Sequence, residues 1–525
     1  MSTLSKLYLA TTAGAAVALL LPTTLFAQAS EPVKGGIVRF AIAEESRGMD
    51  PSTSHRRFSE TAMHVHDTLV VMDTSGNPYG ALAESWEVNE DATEYTIRLK
   101  QGVVFHDGTP MTANSVKAHF DRVFENCCSN ATQYMAGFTT AEVLDDHTVV
   151  VRFERPTGTF SHYIGMQDVT AIPSEAAWEQ KGKEMNQSPV GAGPFKFVEW
   201  VPQSHISYER FDAYNWGSDL FENQAAPHLD GVEVRFIADQ STRTACLMAG
   251  DCDIIRDPSF QAQVQLSQDD EFELVKIPET GMPFSFVFNT KRWPTDDVAV
   301  RKAINFAVDR EKINQAAYLG QRQPLYSTLA PATPEFWEGA PDLISFDPDA
   351  AAAMLEEAGY VDSDGDGIRE RDGQQLAIDL FIFGNREGNP SVIVAESMQA
   401  DLSAIGVGVN INVRPWDDQS VVAMNGDHHL INFNMPLPTA SVLGVMFHSD
   451  ETPEPGKYGM GFTYFGESTP SLSQQLDALL EAGDNAATFE ERKSHLVEAQ
   501  KIIGENYLGL PISSGYAVYA MTKNL

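Results

Sequence analysis

The chain has 525 residues, of which 43% are hydrophobic and 10% aromatic, so it can build packed cores and is neither disordered nor collagen-like. Its 36 Lys and Arg residues stand against 73 Asp and Glu residues, which gives a formal net charge of −37. This acidity argues against a nucleic-acid partner, because contacts with phosphates require clustered Lys and Arg side chains. The length predicts two to four domains of about 100–200 residues each, or one large body of two lobes.

The first 29 residues are predicted to form a cleavable signal peptide. Lys6 is the only charged residue before Glu31, an apolar stretch occupies 7–21, and Ala-Gln-Ala at 27–29 supplies the small residues of a cleavage site. The apolar stretch is shorter than the roughly 20 residues of a membrane-spanning helix, which makes an uncleaved anchor the weaker alternative. We therefore expect cleavage after Ala29, export to the periplasm and a mature chain of 496 residues, 525 less 29.

Strands are predicted at 95–99, 149–153, 232–236 and 284–288, where apolar and polar residues alternate as in half-buried strands. The chain has no internal repeat and no long flexible linker, so any two lobes would be joined by short crossing strands. Segment 279–283 holds Gly and Pro between two apolar runs and is the predicted crossing.

Four helices are predicted from their end signals and apolar stripes. One begins after Thr112, and another is capped by Asp347. A third contains the apolar stripe at 472–480, and a fourth begins with a capping box of Thr488 and Glu491. All four stripes are interpreted as core-facing.

The four cysteines are too few to build the fold. Cys246 and Cys252 flank a predicted helix end at Gly250 and form the candidate disulfide of an exported protein, subject to geometry. Cys127 and Cys128 are adjacent, where a mutual bridge would be strained, and are interpreted as buried thiols or partners of another group. Neither pair has the Cys and His spacing of a zinc site.

The standard catalytic motifs are absent from the sequence. It contains no G-x-S-x-G, H-E-x-x-H, G-x-x-x-x-G-K-[ST] or G-x-G-x-x-G pattern. Gly191 and Gly193 precede Pro194, which prevents a phosphate-binding helix start, so this segment is interpreted as a tight turn. We expect no enzyme activity and no cofactor.

Metal sites are considered at the histidine pairs and at one acidic loop. His64 and His66 would not share a face of a helix, and the adjacent His428 and His429 would point to opposite faces of a strand, so core or surface roles are expected. Segment 362–367 reads Asp-Ser-Asp-Gly-Asp-Gly and begins like a calcium loop of the EF-hand.

The acidic loop supports two interpretations. Asp362, Asp364 and Asp366 occupy positions 1, 3 and 5 of a calcium loop, but Gly373 stands at position 12, where a bidentate Glu is expected. A turn held by bonds from side chains to the backbone is the alternative.

One set of motifs runs in order along the chain: ALAESWEV at 81–88, YTIRLKQGVVFHDGTPMTA at 95–113, PVGAGPFKF at 189–197, VRKAINFAVD at 300–309 and LEEAGY at 355–360. These motifs resemble the family 5 extracellular solute-binding proteins, which are the dipeptide, oligopeptide, glutathione and nickel receptors of bacterial ATP-binding-cassette (ABC) importers. The similarity extends over about 35–521, nearly the whole mature chain.

The resemblance implies an α/β, bilobal periplasmic-binding-protein-like fold of the large type II, cluster C kind, with the ligand in a cleft between lobes that close by hinge motion. Lobe I would take residues 30–278, lobe II would take 279–500, and 501–525 would return to lobe I. Hinge strands are expected near 278–283 and 500–511.

The resemblance also implies a monomer that captures a small solute, a peptide first of all, and delivers it to ABC permease subunits in the inner membrane. A nickel or other metal chelate, a glutathione-like solute and another organic solute are the alternatives. A secreted hydrolase is the remote alternative, and a chaperone-like role is left open.

In lobe I, the resemblance points to a ligand-side loop with Arg56, Arg57 and Ser59. Either Arg would meet a carboxylate of the ligand, with ordinary surface charge as the alternative. Tyr134 aligns near an aromatic residue that stacks on ligands in related proteins.

In lobe II, the ligand segment departs from the family pattern. Dipeptide and oligopeptide receptors carry an Asp after Gly-Trp, and nickel receptors carry Arg and aromatic residues, but segment 432–441 here has no acid, no Arg and no Trp. Asn434 remains as an acceptor of a weaker hydrogen bond. Trp416 lies where the family often has Trp, with core packing as the favoured interpretation, and His428 is a further candidate.

Overall fold

Three large sheets with surrounding helices form the protein in a computed structural model that describes residues 33–53, 59–73, 76–125, 132, 135, 137–384, 389–454, 457 and 459–525. The predicted signal peptide at 1–29 and the adjacent Cys127 and Cys128 lie outside these residues.

The strands, in chain order, are β1 (Ile37–Ile42), β2 (Val70–Met72), β3 (Pro78–Gly80), β4 (Ala83–Val88), β5 (Glu94–Leu99), β6 (Phe138–Asp145), β7 (Thr148–Phe153), β8 (Phe195–Val201), β9 (His205–Arg210), β10 (Gly231–Phe236), β11 (Ile254–Arg256), β12 (Phe272–Pro278), β13 (Met282–Phe288), β14 (Gln323–Pro324), β15 (Glu370–Arg371), β16 (Gln374–Gln375), β17 (Ala377–Phe383), β18 (Gly408–Arg414), β19 (Leu430–Met435), β20 (Gly509–Ser514) and β21 (Tyr516–Thr522).

The α-helices are Ser59–Ala62, Ala113–Glu125, Phe160–Tyr163, Gln167–Thr170, Glu175–Lys181, Gln240–Met248, Phe260–Leu266, Val298–Ala307, Arg310–Tyr318, Pro348–Glu357, Pro390–Ser403, Gln419–Asn425, Val442–Phe447, Phe465–Ser468, Pro470–Asp484 and Phe489–Glu505. Within the described ranges, none of the helices has both the length and the apolar character needed to cross a bilayer.

Lobe I is built on a seven-stranded sheet with the order β12-β21-β11-β1-β10-β9-β8. β1 pairs in parallel with β10 and β11, whereas the outer strands pair antiparallel. Because β21 lies between β12 and β11, the C-terminal end of the chain belongs to this lobe.

A four-stranded antiparallel sheet, β4-β5-β7-β6, is inserted into lobe I between β1 and β8. The helix Ala113–Glu125 packs on it through the buried side chains of Val116, Phe120 and Val123, whose spacing places them on one helical face. This helix and β5 agree with the sequence prediction, whereas β7 is right in type but is buried at five of its six positions instead of half-buried.

Lobe II is built on a six-stranded sheet with the order β14-β20-β13-β19-β17-β18. Apolar clusters cover both of its faces. β13 is consequently buried at every position, so the prediction of a half-buried strand at 284–288 is wrong in burial although right in type.

Two short crossings join the lobes. The first runs from Pro278 to Met282, within the predicted segment. The second lies at Gly515, later than the expected 500–511, because β20 pairs with β13 in lobe II and the return to lobe I starts only at Tyr516. Residues 501–514 therefore belong to lobe II, and the expected boundary at 500 is corrected to 514.

Local signals in the sequence agree with the ends of the helices. The Asp347 carboxylate accepts from Ala350 N at 2.8 Å, and Thr488 Oγ1 accepts from Glu491 N at 3.2 Å. After the helix Gln240–Met248 the chain turns at Gly250, where φ is +72°. The structure contains the predicted disulfide between Cys246 and Cys252.

Candidate functional site

The carboxyl ends of the parallel strands in lobe I lie along one edge of its sheet. β1, β10 and β11 run parallel, so the loops after Ile42, Phe236 and Arg256 leave on the same side. β11 pairs antiparallel with β21, which starts at Tyr516 opposite Pro278. The crossings to lobe II therefore depart from this same edge.

Lobe II presents the matching edge. β17, β18 and β19 run parallel and end at Phe383, Arg414 and Met435. Met435 pairs with Met282, the first residue of β13 after the crossing. Both sheets thus direct the carboxyl ends of parallel strands toward the crossings, which is where open α/β sheets bind ligands.

The two crossings are bonded to each other. Glu279 N donates to the Gly515 carbonyl at 3.1 Å, and Gly515 N donates to the Glu279 carboxylate at 2.9 Å. Arg322 pairs with the same carboxylate at 3.1 Å, and Gly281, at φ +78°, donates its N–H to the Thr333 hydroxyl at 2.9 Å. Two short segments of this kind allow the lobes to rotate as rigid bodies.

Buried polar contacts fix the loop that follows β1. His66 Nε2 lies 3.1 Å from the Met49 carbonyl oxygen, and the Asp50 carboxylate accepts from the N–H and hydroxyl of Ser52 at 3.0 and 2.9 Å. Burial raises the pKa of Asp50 against the effect of the Ser52 bonds, and burial lowers the pKa of His66 to about 3. His66 is therefore a neutral core histidine that shapes the loop.

Of the predicted ligand residues of lobe I, Arg56, Arg57 and Ser59 follow this loop in the sequence, and Tyr134 precedes β6. Arg56, Arg57 and Tyr134 lie outside the described residues. Ser59 begins the helix Ser59–Ala62, and its side chain is likewise outside the description. Their ligand contacts stay predictions.

Trp416 and Asn434 both lie at the carboxyl edge of lobe II. Trp416 follows β18 and is 61% exposed, with its ring centroid 6.5 Å from that of Phe383. The favoured interpretation of core packing is therefore wrong, because the ring lies over the end of β17 with most of its surface open. Asn434 is exposed near the end of β19.

His428 lies at the opposite end of β19 from Asn434. It is fully buried, and its Nε2 lies 2.9 Å from the Phe462 carbonyl oxygen. Burial lowers its pKa to about 4, so the ring is neutral at physiological pH. The expectation of a ligand contact at His428 is not met, because the amino end of β19 faces away from the crossings. His429 is also buried, in agreement with the core interpretation of this pair.

The lobes touch directly at a second place, between residues 155–163 of lobe I and the region after β19 in lobe II. The Tyr163 hydroxyl donates to Ser441 Oγ at 2.9 Å and lies 3.4 Å from Thr439 Oγ1. A Cβ placed on Gly158 would lie 3.1 Å from the carbonyl carbon of Ala486, so the two backbones are in close contact. We call this contact the seam.

A buried ion pair lies under the lobe II side of the seam. Arg492 donates from Nε to Glu335 at 2.8 Å and from Nη2 to Ser441 Oγ at 2.8 Å. The second Glu335 oxygen accepts from Ala440 N at 3.0 Å. Burial acts to lower the pKa of Arg492, but the carboxylates of Glu335 and Asp484 outweigh it and raise the pKa.

A cavity of about 500 Å³ lies between the lobes beside the seam, within the size range of small-molecule sites. Residues 155–163 form one wall, and residues 437–451 and 480–485 form the other. Trp416 and Asn434 do not line it, so the cavity and the carboxyl edge are two parts of the space between the lobes.

The lobe II wall of this cavity is acidic. It carries the carboxylates of Asp450, Glu451, Glu481 and Asp484, whereas Arg155 is the basic residue of the lobe I wall. This surplus of carboxylates favours a cationic or neutral polar group over an anion at that wall.

Sequence reasoning missed the seam residues. Tyr163, Glu335 and Arg492 are ordinary members of their segments, and nothing nearby in the sequence marks them. Ser441 alone lies in a segment that was singled out, at the end of 432–441.

The acidic loop lies on the surface of lobe II. Asp362 accepts from Gly365 N and Gly367 N at 2.7 and 3.1 Å, and Asp366 accepts from Ile368 N at 2.8 Å, as the turn interpretation predicts. Carboxylate oxygens of Asp362, Asp364 and Glu370 also lie within 4.8 Å of one another. Calcium binding stays a prediction, which calorimetric titration with calcium tests.

Comparisons with known proteins agree with this architecture. The model of the bacterial extracellular solute-binding proteins, family 5 Middle, matches residues 77–485. Heme-binding protein A of Haemophilus influenzae is 28% identical over 471 residues, which cover 83% of this chain and 79% of the relative. The dipeptide-binding protein of Escherichia coli is 27% identical over 374 residues, which cover 67% of this chain and 66% of the relative, just under two thirds of its length.

Solved structures share the fold. NikA from Brucella suis, in complex with Fe(III)-EDTA, superposes with a TM-score of 0.79 at 23% identity, covering 93% of this chain and 95% of that chain. At this identity the likeness shows the fold alone. Together with the family match over most of the chain, the bilobal α/β fold identifies this chain as a member of the bacterial extracellular solute-binding proteins of family 5.

Proposed function

We propose that this protein captures a small organic solute between its lobes in the periplasm and delivers it, unchanged, to the permease subunits of an ABC importer. The observation that carries the proposal is the pair of carboxyl edges that face each other across two bonded crossings. Rotation about the crossings would enclose a solute and give the permease a closed state to recognise. The protein acts as a monomer in this scheme.

A peptide is the first choice of solute. The acidic cavity wall suits an ammonium group, Asn434 offers a polar contact, and the exposed Trp416 ring offers an apolar surface. A metal chelate, a glutathione-like solute and another organic solute are the alternatives, since the relatives are named for heme and for dipeptides, and NikA is described with a metal chelate.

Native mass spectrometry of the exported protein tests the ligand class. We expect a bound mass that denaturation releases and that fragments as a peptide. A released metal chelate or a non-peptide mass would replace the peptide by one of the alternatives.

Small-angle X-ray scattering tests closure itself. We expect refolded, ligand-depleted protein to become more compact when the released solute is added back. An unchanged distance distribution at saturating solute would contradict capture by closure.

Trp416 supports the proposal as a ligand contact. Because the ring is 61% exposed, Trp416→Ala should leave thermal stability nearly unchanged while weakening solute binding about 10-fold, as loss of a stacking aromatic does. Phe221→Ala is the matched control, since Phe221 is 55% exposed on the loop between β9 and β10, at the edge opposite the crossings. Equal affinity of the two variants would remove Trp416 from the site.

Export and the absence of catalysis belong to the same proposal. The intact mass of protein recovered from the periplasm should correspond to a chain that begins at Ser30, as cleavage after Ala29 requires. Overnight incubation with a peptide mixture should leave every peptide mass intact, and cleavage products would favour the hydrolase alternative instead.

A further inference from the structure

We infer that Tyr163 and Ser441 form a latch that holds the lobes closed, and that the buried Arg492–Glu335 pair keeps the lobe II half of this latch in place. The inference deepens the proposed function, on whose lobe closure it rests. None of these residues was predicted as a ligand contact.

The latch is a contact across the cleft and not within one lobe. Tyr163 packs in the lobe I core with Phe160 and Ile164, whereas Ser441 immediately precedes the lobe II helix Val442–Phe447. The bond between them joins residues 278 positions apart. Rotation that opens the lobes about the crossings would separate the two segments, because Tyr163 moves with lobe I and Ser441 with lobe II.

The lobe II half of the latch is held by buried charges. Arg492 is 1% exposed in its side chain and Glu335 is 0% exposed, so their geometry is fixed by desolvated, charge-assisted bonds. One carboxylate oxygen of Glu335 binds Arg492 and the other binds Ala440 N, which places Ser441 Oγ against the Arg492 guanidinium. The acceptor for Tyr163 is thus positioned before the lobes meet.

The latch continues toward the hinge. Glu335 lies two residues from Thr333, whose hydroxyl accepts from Gly281 N in the first crossing. Gly158 completes the seam, since its missing side chain lets the lobe I backbone approach Ala486 and Ala487 closely. One connected set of contacts therefore links the seam to the first crossing.

Hydrogen–deuterium exchange of the full chain tests the latch, because each variant can be read out on the opposite lobe. Tyr163→Phe, in lobe I, should speed exchange in Val442–Phe447 of lobe II about 2- to 10-fold, the value of one hydrogen bond in the closing equilibrium. Ser441→Ala should speed exchange in Phe160–Tyr163 by a similar factor, since coupling between sites is reciprocal.

A steric variant and a matched hydroxyl control complete the design. Gly158→Ala removes no hydrogen bond but wedges the seam, and it should speed exchange on both sides. Tyr507→Phe removes a hydroxyl whose bond to the Leu343 carbonyl, at 3.2 Å, stays within lobe II, and it should leave both segments as in the wild type.

Unchanged exchange across the seam in both Tyr163→Phe and Ser441→Ala would overturn the latch, as would equal acceleration in Tyr507→Phe. Should one variant not fold, the other still decides. If exchange is coupled across the seam but no solute closes the lobes, the latch stands and the proposed function is wrong. If a solute closes the lobes but exchange is not coupled across the seam, the proposed function stands and the latch is wrong.

Discussion

Among the described residues, three arginines are at most 1% exposed in a protein whose formal net charge is −37. Arg243 and Arg310 donate to backbone carbonyl oxygens, those of Ile237 and Pro511 among them, so they hold loops and strand ends in place. Arg492 differs, because it pairs with a carboxylate that is itself buried. Buried guanidinium groups thus serve here as fixed donors at the places where segments meet.

Breaking the Arg492–Glu335 pair should be costly. Arg492→Ala leaves the Glu335 charge buried without its partner, and we expect a loss of about 3–5 kcal/mol in the free energy of unfolding. Urea unfolding followed by circular dichroism measures it. Lys501→Ala, at the exposed pair with Glu498 on the same helix, should cost less than about 1 kcal/mol, and a similar loss in both variants would contradict the special role of Arg492.

His428 should contribute to the pH dependence of stability. Its pKa is about 4 in the folded chain, below the usual 6.5, so between these values the unfolded chain binds a proton that the folded chain does not. The contribution of His428 to the free energy of unfolding is therefore fully present above about pH 6.5 and is lost as pH falls from 6.5 toward 4. We expect His428→Gln to make the fall between pH 7 and pH 4.5 shallower by about 2 kcal/mol.

Urea unfolding at a series of pH values checks this expectation. Wild-type and His428→Gln curves that run parallel between pH 7 and pH 4.5 would show that His428 does not titrate in this way. Circular dichroism at pH 7 confirms that the variant is folded before the comparison is made.

The helix Phe489–Glu505 shows how far local signals determine an element. Thr488 caps it by accepting from Glu491 N, as the capping box predicts. The Glu491 carboxylate, however, accepts from Ala487 N at 3.3 Å. The start of the helix was readable from the sequence, while the partner of Glu491 was set by the turn that joins it to the helix Pro470–Asp484.

Thr488→Ala should cost about 1 kcal/mol in the free energy of unfolding, because the amide of Glu491 loses its acceptor. Thr488→Ser keeps a hydroxyl and should stay within a few tenths of a kcal/mol of the wild type. Chemical denaturation of both variants measures the difference. Equal stability of Thr488→Ala and Thr488→Ser would show that the cap bond contributes nothing to the folded state.

At the scale of the whole molecule, the two crossings that join the lobes share one carboxylate, that of Glu279. Glu279 binds Gly515 N in the second crossing and Arg322 in lobe II. One residue thus ties the two connecting segments to each other and to the sheet that they enter. These bonds and the seam hold the lobes together with two further contacts, those of Lys276 with Gln321 and of Phe260 with Tyr318.

Glu279→Ala should loosen the relation between the lobes. We expect a broader distance distribution in small-angle scattering and a loss of about 1–3 kcal/mol in the free energy of unfolding, as for lost bonds to a charged group. Glu273→Ala, at an exposed position of the preceding strand β12, is the control and should change neither. Indistinguishable scattering of the two variants would exclude the hinge role of Glu279.

Features that depend on neighbours along the chain could be predicted from the amino-acid sequence. Helix starts at Thr488 and Asp347, the turn at Gly250 with its disulfide, and the crossing after Pro278 all follow from residues within a few positions of one another. The bilobal fold could be predicted because the motifs shared with family 5 occur in the same order along this chain.

Contacts between distant residues could not be predicted from the sequence and are seen only in the folded chain. Tyr163 and Ser441 are 278 positions apart, and Arg492 and Glu335 are 157 positions apart, so no local pattern marks either pair. The pairing of β20 with β13 likewise places the second crossing at Gly515. The packing of the elements leaves Trp416 exposed at the carboxyl edge and buries His428 at the opposite end of β19. Burial and long-range pairing depend on how the elements pack against one another. That packing results from many contacts acting together, so no short stretch of sequence specifies it.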